Sequence, residues 1–133
     1  MVSDPELELT VRPAPGAACE ARRALASSRL VADSQQATLL LLVSELVSNS
    51  VRHAGLRAGE SIRLVARCDD EFARVEVCDA GRSGRVPSKR EPAFGELEPG
   101  GLGLMLVDEM ADRWGVNCDG RGTCVWFELA CAA

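Results

Sequence analysis

The sequence predicts an α+β two-layer sandwich, a mixed β-sheet with helices on one face. Three observations carry this expectation. The patterned segments run in the order β-α-α-β-β-α-β-β. Strands adjacent in the chain are joined as hairpins, with helices inserted between them. The repeated parallel βαβ units of a dinucleotide-binding sheet are missing. With 133 residues and no internal repeat or separable linker, residues 1–133 form one domain. A chain of this size buries enough surface for a core without staples.

The first strand is "ELELTV", Glu6 to Val11, whose alternation gives one apolar face, and Pro13 and Pro15 close it. "GAACEARRALASSRLVA" follows as an alanine-rich first helix. Asp33 is placed to cap a second helix, with Gln36 completing a capping box. That helix runs from about Ser34 to Ala54, and Gly55 stops it. "SIRLVARC" and "FARVEVCD" form an antiparallel hairpin around Asp69-Asp70-Glu71. Residues 82–100 lose all periodicity, and a segment of that length inside a compact domain reads as a lid. "LGLMLVDEMADRW" restores helical spacing just past Gly100-Gly101. Two strand-like runs joined by Asp119-Gly120-Arg121-Gly122 end the chain, the last rich in β-branched and aromatic residues.

Apolar residues make up 47% and charged residues 26%, ordinary values for a soluble domain. The net charge of −5 argues against nonspecific binding to nucleic acid or anionic membrane, both of which reward a basic face. The N-terminus lacks a basic region followed by an apolar one, and no apolar run is long enough to cross a bilayer. The six cysteines contain no C-x-x-C pair, and the single histidine gives no zinc spacing. Several lie in apolar strand-like runs, so free, reduced and mostly buried thiols are expected, and with them a cytoplasmic protein.

Four stretches bear on chemistry. In "ELVSNSVRHAG", Glu45 and Asn49 stand one turn apart on the second helix. Leu39, Leu40, Val43, Leu46, Val47, Val51 and Ala54 share a broad apolar face, leaving Glu45, Asn49 and Arg52 on the other side and His53 toward the border. This is either a solvated polar stripe or an acid and an amide serving one cation and one activated nucleophile. In "VEVCDAG", Asp79 keeps the phase of Val75 and Val77, which aims a carboxylate at the core face, and Gly81 lets a ligand or backbone come close. A plain turn explains that motif equally well. In "PGGLGLMLVDEMADRW", glycines lead into a helix, either as a simple helix entry or as amides aimed at a phosphate. In "GRGTCVWFEL", Gly122-Thr123 opens the last strand as a pocket rim or a turn.

Each stretch is weak alone, but their order and spacing resemble the GHKL superfamily of ATP-binding proteins: gyrase, a heat-shock chaperone, the histidine kinases and the mismatch-repair ATPases. "SELVSNSVRHAG", "GGLGLMLVDEMADRWGV" and "GTCVWFEL" look like its small branch of anti-sigma-factor serine kinases. The resemblance runs over nearly the whole chain. It implies the Bergerat-type ATP-binding fold, with ATP and Mg²⁺ as cofactors. By the same resemblance Asn49 is the Mg²⁺ ligand and Glu45 the catalytic base. Asp79 binds the adenine amine, Gly81 gives the base room, and Thr123 backs the aspartate. Gly101, Leu102, Gly103 and Leu104 form the phosphate-facing box. His53 is assigned packing or hydrogen bonding, and Arg82, Arg85, Lys89 and Arg90 either reach a γ-phosphate or solvate the lid, solvation being the favoured reading. The sequence departs from the common D-x-G-x-G pattern, with Ser83 at the last position and Gly84 one later. This bears on lid closure more than on nucleotide binding.

The function the resemblance implies is an ATP-dependent serine/threonine kinase that phosphorylates a small antagonist protein and holds a sigma factor. The expected partners are therefore ATP/ADP and a sigma factor or antagonist. No direct nucleic-acid or membrane contact is expected. Members of this branch are commonly homodimers, and no dimer interface is legible in these residues. The alternative is a nucleotide-gated partner-binding module with little or no kinase activity. The catalytic half of a histidine kinase fits less well, because the chain shows no helical dimerisation segment and no phosphoacceptor histidine outside the nucleotide motif.

Overall fold

In the computed structural model, residues 7–28, 30–53, 59–80, 103–119 and 122–131 are described. They form β1 (Leu7–Val11), α1 (Ala17–Ala26), α2 (Asp33–His53), β2 (Ile62–Cys68), β3 (Phe72–Asp79), α3 (Gly103–Met110), β4 (Arg113–Asp119) and β5 (Gly122–Ala130). The strands make one sheet in the order β1-β2-β3-β5-β4. The α+β sandwich is as expected, but the sheet is antiparallel at every pairing rather than mixed. The reason lies in the connections. Two helices carry the chain out and back, so β2 starts opposite the end of β1, with Ile62 beside Val11. One helix, α3, makes β4 run parallel to β3, but β5 inserts between them and pairs antiparallel with both.

Alternation along the strands sets the two sheet faces. Ile62 and Leu64 on β2, Ala73, Val75 and Val77 on β3, and Phe127 and Leu129 on β5 are buried on the helix side. α2 supplies Leu39, Leu42, Val43, Leu46 and Val47 to the same core, and α1 supplies Ala17, Ala21 and Leu25 at helical spacing. Each fully buried large aliphatic contributes about 1.5–3 kcal/mol. The outer face is polar but layered. Arg74 stacks on Trp126 at 4.0 Å while pairing with Glu76 at 3.1 Å, and the Trp126 indole lies across Gly115.

Three element ends differ from expectation, each because of identifiable hydrogen bonds. α1 ends at Ala26 rather than reaching Ala32, because the Ser27 and Ser28 hydroxyls donate to the carbonyls of Arg23, Ala24 and Leu25 and compete with continued helix. Gln36 donates across to Leu25 O at 3.4 Å, joining the two helices, in place of the expected capping box. α3 stops at Met110 because Asp112 is drawn into the sheet: its amide donates to Glu128 O and its Oδ2 accepts from Ala130 N. Glu6, Gly55 and the lid at 82–100 lie outside the described residues.

The cysteine expectation is corrected. Cys78 and Cys124 are joined as a disulfide, while Cys19, Cys68, Cys118 and Cys131 are free and Cys118 is exposed. The bonded pair is 46 residues apart in sequence, so a search along the chain for C-x-x-C spacing misses it. The β3–β5 register sets it side by side. Reduced thiols therefore no longer serve as the premise for a cytoplasmic location. Among the described residues, no helix is long and apolar enough to cross a membrane.

The β2–β3 hairpin is closed by Asp69, whose Oδ1 accepts from the amides of Phe72 and Glu71. These bonds, Phe72 first, hold its carboxyl below its ordinary range. A folded pKa below the unfolded one stabilises the turn above the ordinary carboxylate pKa of about 4. That support is lost as pH falls through the folded value. Amide exchange at Phe72 should therefore accelerate in that acid window, and Asp69→Ala should exchange fast at every pH.

Candidate functional site

α2 is where the sequence concentrates polar groups beside a core face. Leu42 and Leu46 are fully buried, and Asn49 falls on their side of the helix, about 20° around the axis from Leu42 at 3.6 residues per turn. The expectation that Asn49 shares the outer side with Arg52 therefore needs correction. Arg52 is exposed, whereas Asn49 and Glu45 are half-buried at the margin of the core. Asn49 Oδ1 is buried and accepts no hydrogen bond among the described residues. A shielded amide oxygen with nothing to accept from costs about 1–3 kcal/mol, so the site suits a donor or a hard cation brought by a ligand. Ser50, next in sequence, points at the core and is 8% exposed.

The second group lies at one end of the sheet. Asp79 is the last residue of β3, and register places it directly opposite Thr123. The carboxylate is half-buried, with Oδ1 shielded, and keeps an interaction of its own. β2 begins at this same end, Arg63 pairing with Cys78. Only residues 54–61 separate β2 from the end of α2, so the part of α2 bearing Asn49 and the sheet end bearing Asp79 are linked by a short connection.

Gly122 makes the Asp79–Thr123 rung possible. A Cβ at this position would overlap the backbone oxygen of Asp79, so β5 can lie this close only with glycine there. Gly122→Ala should lower stability by about 1–3 kcal/mol, the usual cost of overpacking, and weaken any ligand held by Asp79. Denaturant unfolding and nucleotide titration measure the two effects. Values equal to those of the parent would mean that β5 shifts freely.

Cys118 was not singled out from the sequence, yet its Sγ lies 3.6 Å from Thr123 Oγ1. The signal was legible: pairing Asp119 with Gly122 across the turn puts Cys118 opposite Thr123. Gly103 opens α3, as expected of the glycine-rich stretch, and α3 packs on α2. Leu104 is 5% exposed and belongs to the core, so what it offers a ligand is its backbone. Gly81, Gly101, Leu102 and the four lid cations lie outside the described residues. His53 is the last residue of α2. Among the described residues, no three His, Cys, Asp or Glu side chains cluster to hold a metal.

The described geometry thus offers an acid one turn before a buried amide oxygen on α2, and a carboxylate directly across the ladder from a threonine at the sheet end. A family model described as histidine kinase-like ATPase domain matches residues 9–129. The RsbU and RsbW domains of Rv1364c from Mycobacterium tuberculosis share the fold, with a TM-score of 0.68 at 20% identity, over 95% of this chain and 32% of that one. The histidine kinase domain of the Erythrobacter litoralis EL346 blue-light activated histidine kinase is 28% identical, with a TM-score of 0.54, over 73% of this chain and 45% of that one. A second structure of the EL346 kinase gives 28% identity and a TM-score of 0.56, over 76% and 32%. The chain therefore spans less than half the length of each of these solved chains. No curated protein matches it.

Proposed function

The chain belongs to the histidine kinase-like ATPase family, and from that premise we propose that it is an ATP-binding regulatory kinase of the anti-sigma-factor type. In this reading it transfers phosphate to a serine or threonine of a small antagonist protein. The observation that carries the reading is the buried Oδ1 of Asn49, which accepts no hydrogen bond among the described residues, one helical turn after Glu45. The likeness in fold to a chain containing an RsbW domain supports it.

Asn49 would hold Mg²⁺ through Oδ1, since an amide oxygen is a hard donor and Mg²⁺ binds few protein ligands beside phosphate oxygens. When bound, Mg²⁺ neutralises charge on the transferring phosphoryl group. Glu45 accepts the proton of the incoming hydroxyl, from a position half-shielded by the helix packing. Asp79 accepts a hydrogen bond from the exocyclic amine of adenine, and Thr123 steadies that carboxylate. Gly81 leaves room for the ring, and the amides from Gly101 to Leu104 face the phosphates. Phosphate placed on the antagonist opposes its rebinding by charge and desolvation. A sigma factor as second partner, a homodimer and a cytoplasmic location belong to the same proposal.

The test is to incubate the protein with Mg-ATP and candidate antagonist proteins and to follow labelled phosphate. Label on a serine or threonine of one of them is the expected result. Tight ATP binding without transfer would leave a nucleotide-gated binding module. Label on histidine of the protein itself would favour a histidine-kinase half.

A further inference from the structure

Cys78 and Cys124 face each other across β3 and β5 with Cα atoms 4.0 Å apart and their sulfurs joined. So close an approach is that of a non-hydrogen-bonded pair in an antiparallel ladder, where the two residues exchange no backbone bonds. Both lie on the sheet face away from the helices, in phase with Glu76 and Trp126, and both are half-buried rather than sealed in the core. Small solutes can therefore reach them.

The next rung is Asp79–Thr123, and it is the last between β3 and β5. Terminal rungs open at the lowest free energy of any part of a ladder. A covalent bond one rung inward restrains that opening. The bond also closes a covalent loop that contains α3 and β4.

We propose that Cys78 and Cys124 form a reversible oxidative modification site whose bond clamps the Asp79–Thr123 rung and raises affinity for nucleotide. This rests on the nucleotide reading above. A peroxide supplies the oxidant. One cysteine thiolate attacks a peroxide oxygen, giving a sulfenic acid and, after protonation of the leaving hydroxide, water. The second thiol displaces the sulfenic oxygen as a further water, and the S–S bond forms. In sum, two thiols and hydrogen peroxide give the disulfide and two waters. A dithiol reverses the change by exchange, becoming a disulfide itself while the two cysteines take up its protons. In the reduced state the rung opens, and nucleotide must close it on binding. Apparent affinity then falls by the closed fraction. Cys131 is a poor competitor for oxidant, because burial, with Cys68 and Asp69 nearby, pushes its thiol pKa up.

The experiment compares the full chain treated with dithiothreitol or with hydrogen peroxide, with the bonded peptides mapped by mass spectrometry. Each form is titrated with a fluorescent ATP analogue and Mg²⁺. The oxidised form should bind about fivefold more tightly or better, the range of ordinary coupling between sites. Cys78→Ser/Cys124→Ser should bind as the reduced form does and respond to neither reagent. Equal affinity in the two forms overturns the clamp and leaves the nucleotide reading standing. Failure of peroxide to restore the Cys78–Cys124 bond also overturns it. Binding by neither form sinks the nucleotide reading, and amide exchange at Asp79 and Thr123 then decides the clamp. Faster exchange on reduction upholds it, and unchanged exchange overturns it.

Discussion

Glu45→Gln should lower phosphoryl transfer by about 10²–10⁴-fold, the contribution of a positioned general base, while Mg-ATP affinity stays that of the parent. The split follows from position. Glu45 sits one turn before Asn49, on the same flank of α2, and in the proposed mechanism it meets the incoming hydroxyl rather than the bound nucleotide. Glutamine keeps the shape and removes the proton acceptor, so the fold should stay that of the parent, which circular dichroism checks directly. Single-turnover measurement with labelled ATP separates transfer from binding. Parent-like transfer by the glutamine variant would remove Glu45 as base and leave the nucleotide-gated module as the better reading.

Asn49→Ala should weaken Mg-dependent ATP binding by roughly 10- to 100-fold or more, the loss of a bond to a charged partner worth about 1.5–3 kcal/mol. The same change should leave the ligand-free protein as stable as before, or more so. Asn49 Oδ1 is buried with no hydrogen bond among the described residues, so in the absence of ligand it is a cost that alanine removes. A solvated polar stripe predicts neither outcome: alanine there would change ligand affinity little. Calorimetric titration with and without Mg²⁺, paired with thermal unfolding of the ligand-free protein, tests both halves. Unchanged affinity would refute the metal role.

Much of the scaffold was legible because it follows local patterns. The alternation in "SIRLVARC" and "FARVEVCD" gave the central hairpin, and the phase of Val75, Val77 and Asp79 gave the face that Asp79 occupies. The leucine-rich spacing gave α2 to within a residue of its observed end. Where the reading failed, hydrogen bonds outside the periodic pattern decided, most of them to distant residues. Ser27 and Ser28 ended α1 early through their own carbonyl contacts, but Gln36 was diverted from its cap by Leu25, a residue on another helix. Asp112 ended α3 by bonding to β5. Asn49 looked like part of a polar stripe because the apolar arc was extended to Leu40 and Val51 and left out Leu42. In the fold, Leu42, Leu46 and Ser50 are buried while Leu40 and Val51 are only half-buried, which brings Asn49 to the core margin.

Taken alone, the sequence determined the elements, their order and the four polar stretches, because helix and strand periods and glycine-led turns are local properties of neighbouring residues. Only the tertiary structure decided how the hairpins join into one sheet, that β5 lies between β3 and β4, and that Cys78 meets Cys124 beside the Asp79–Thr123 rung. It also decided that the Asn49 amide oxygen is shielded and accepts no hydrogen bond among the described residues. The physical reason is the same in each case: register and burial depend on contacts between residues tens of positions apart, and no window of sequence contains both partners.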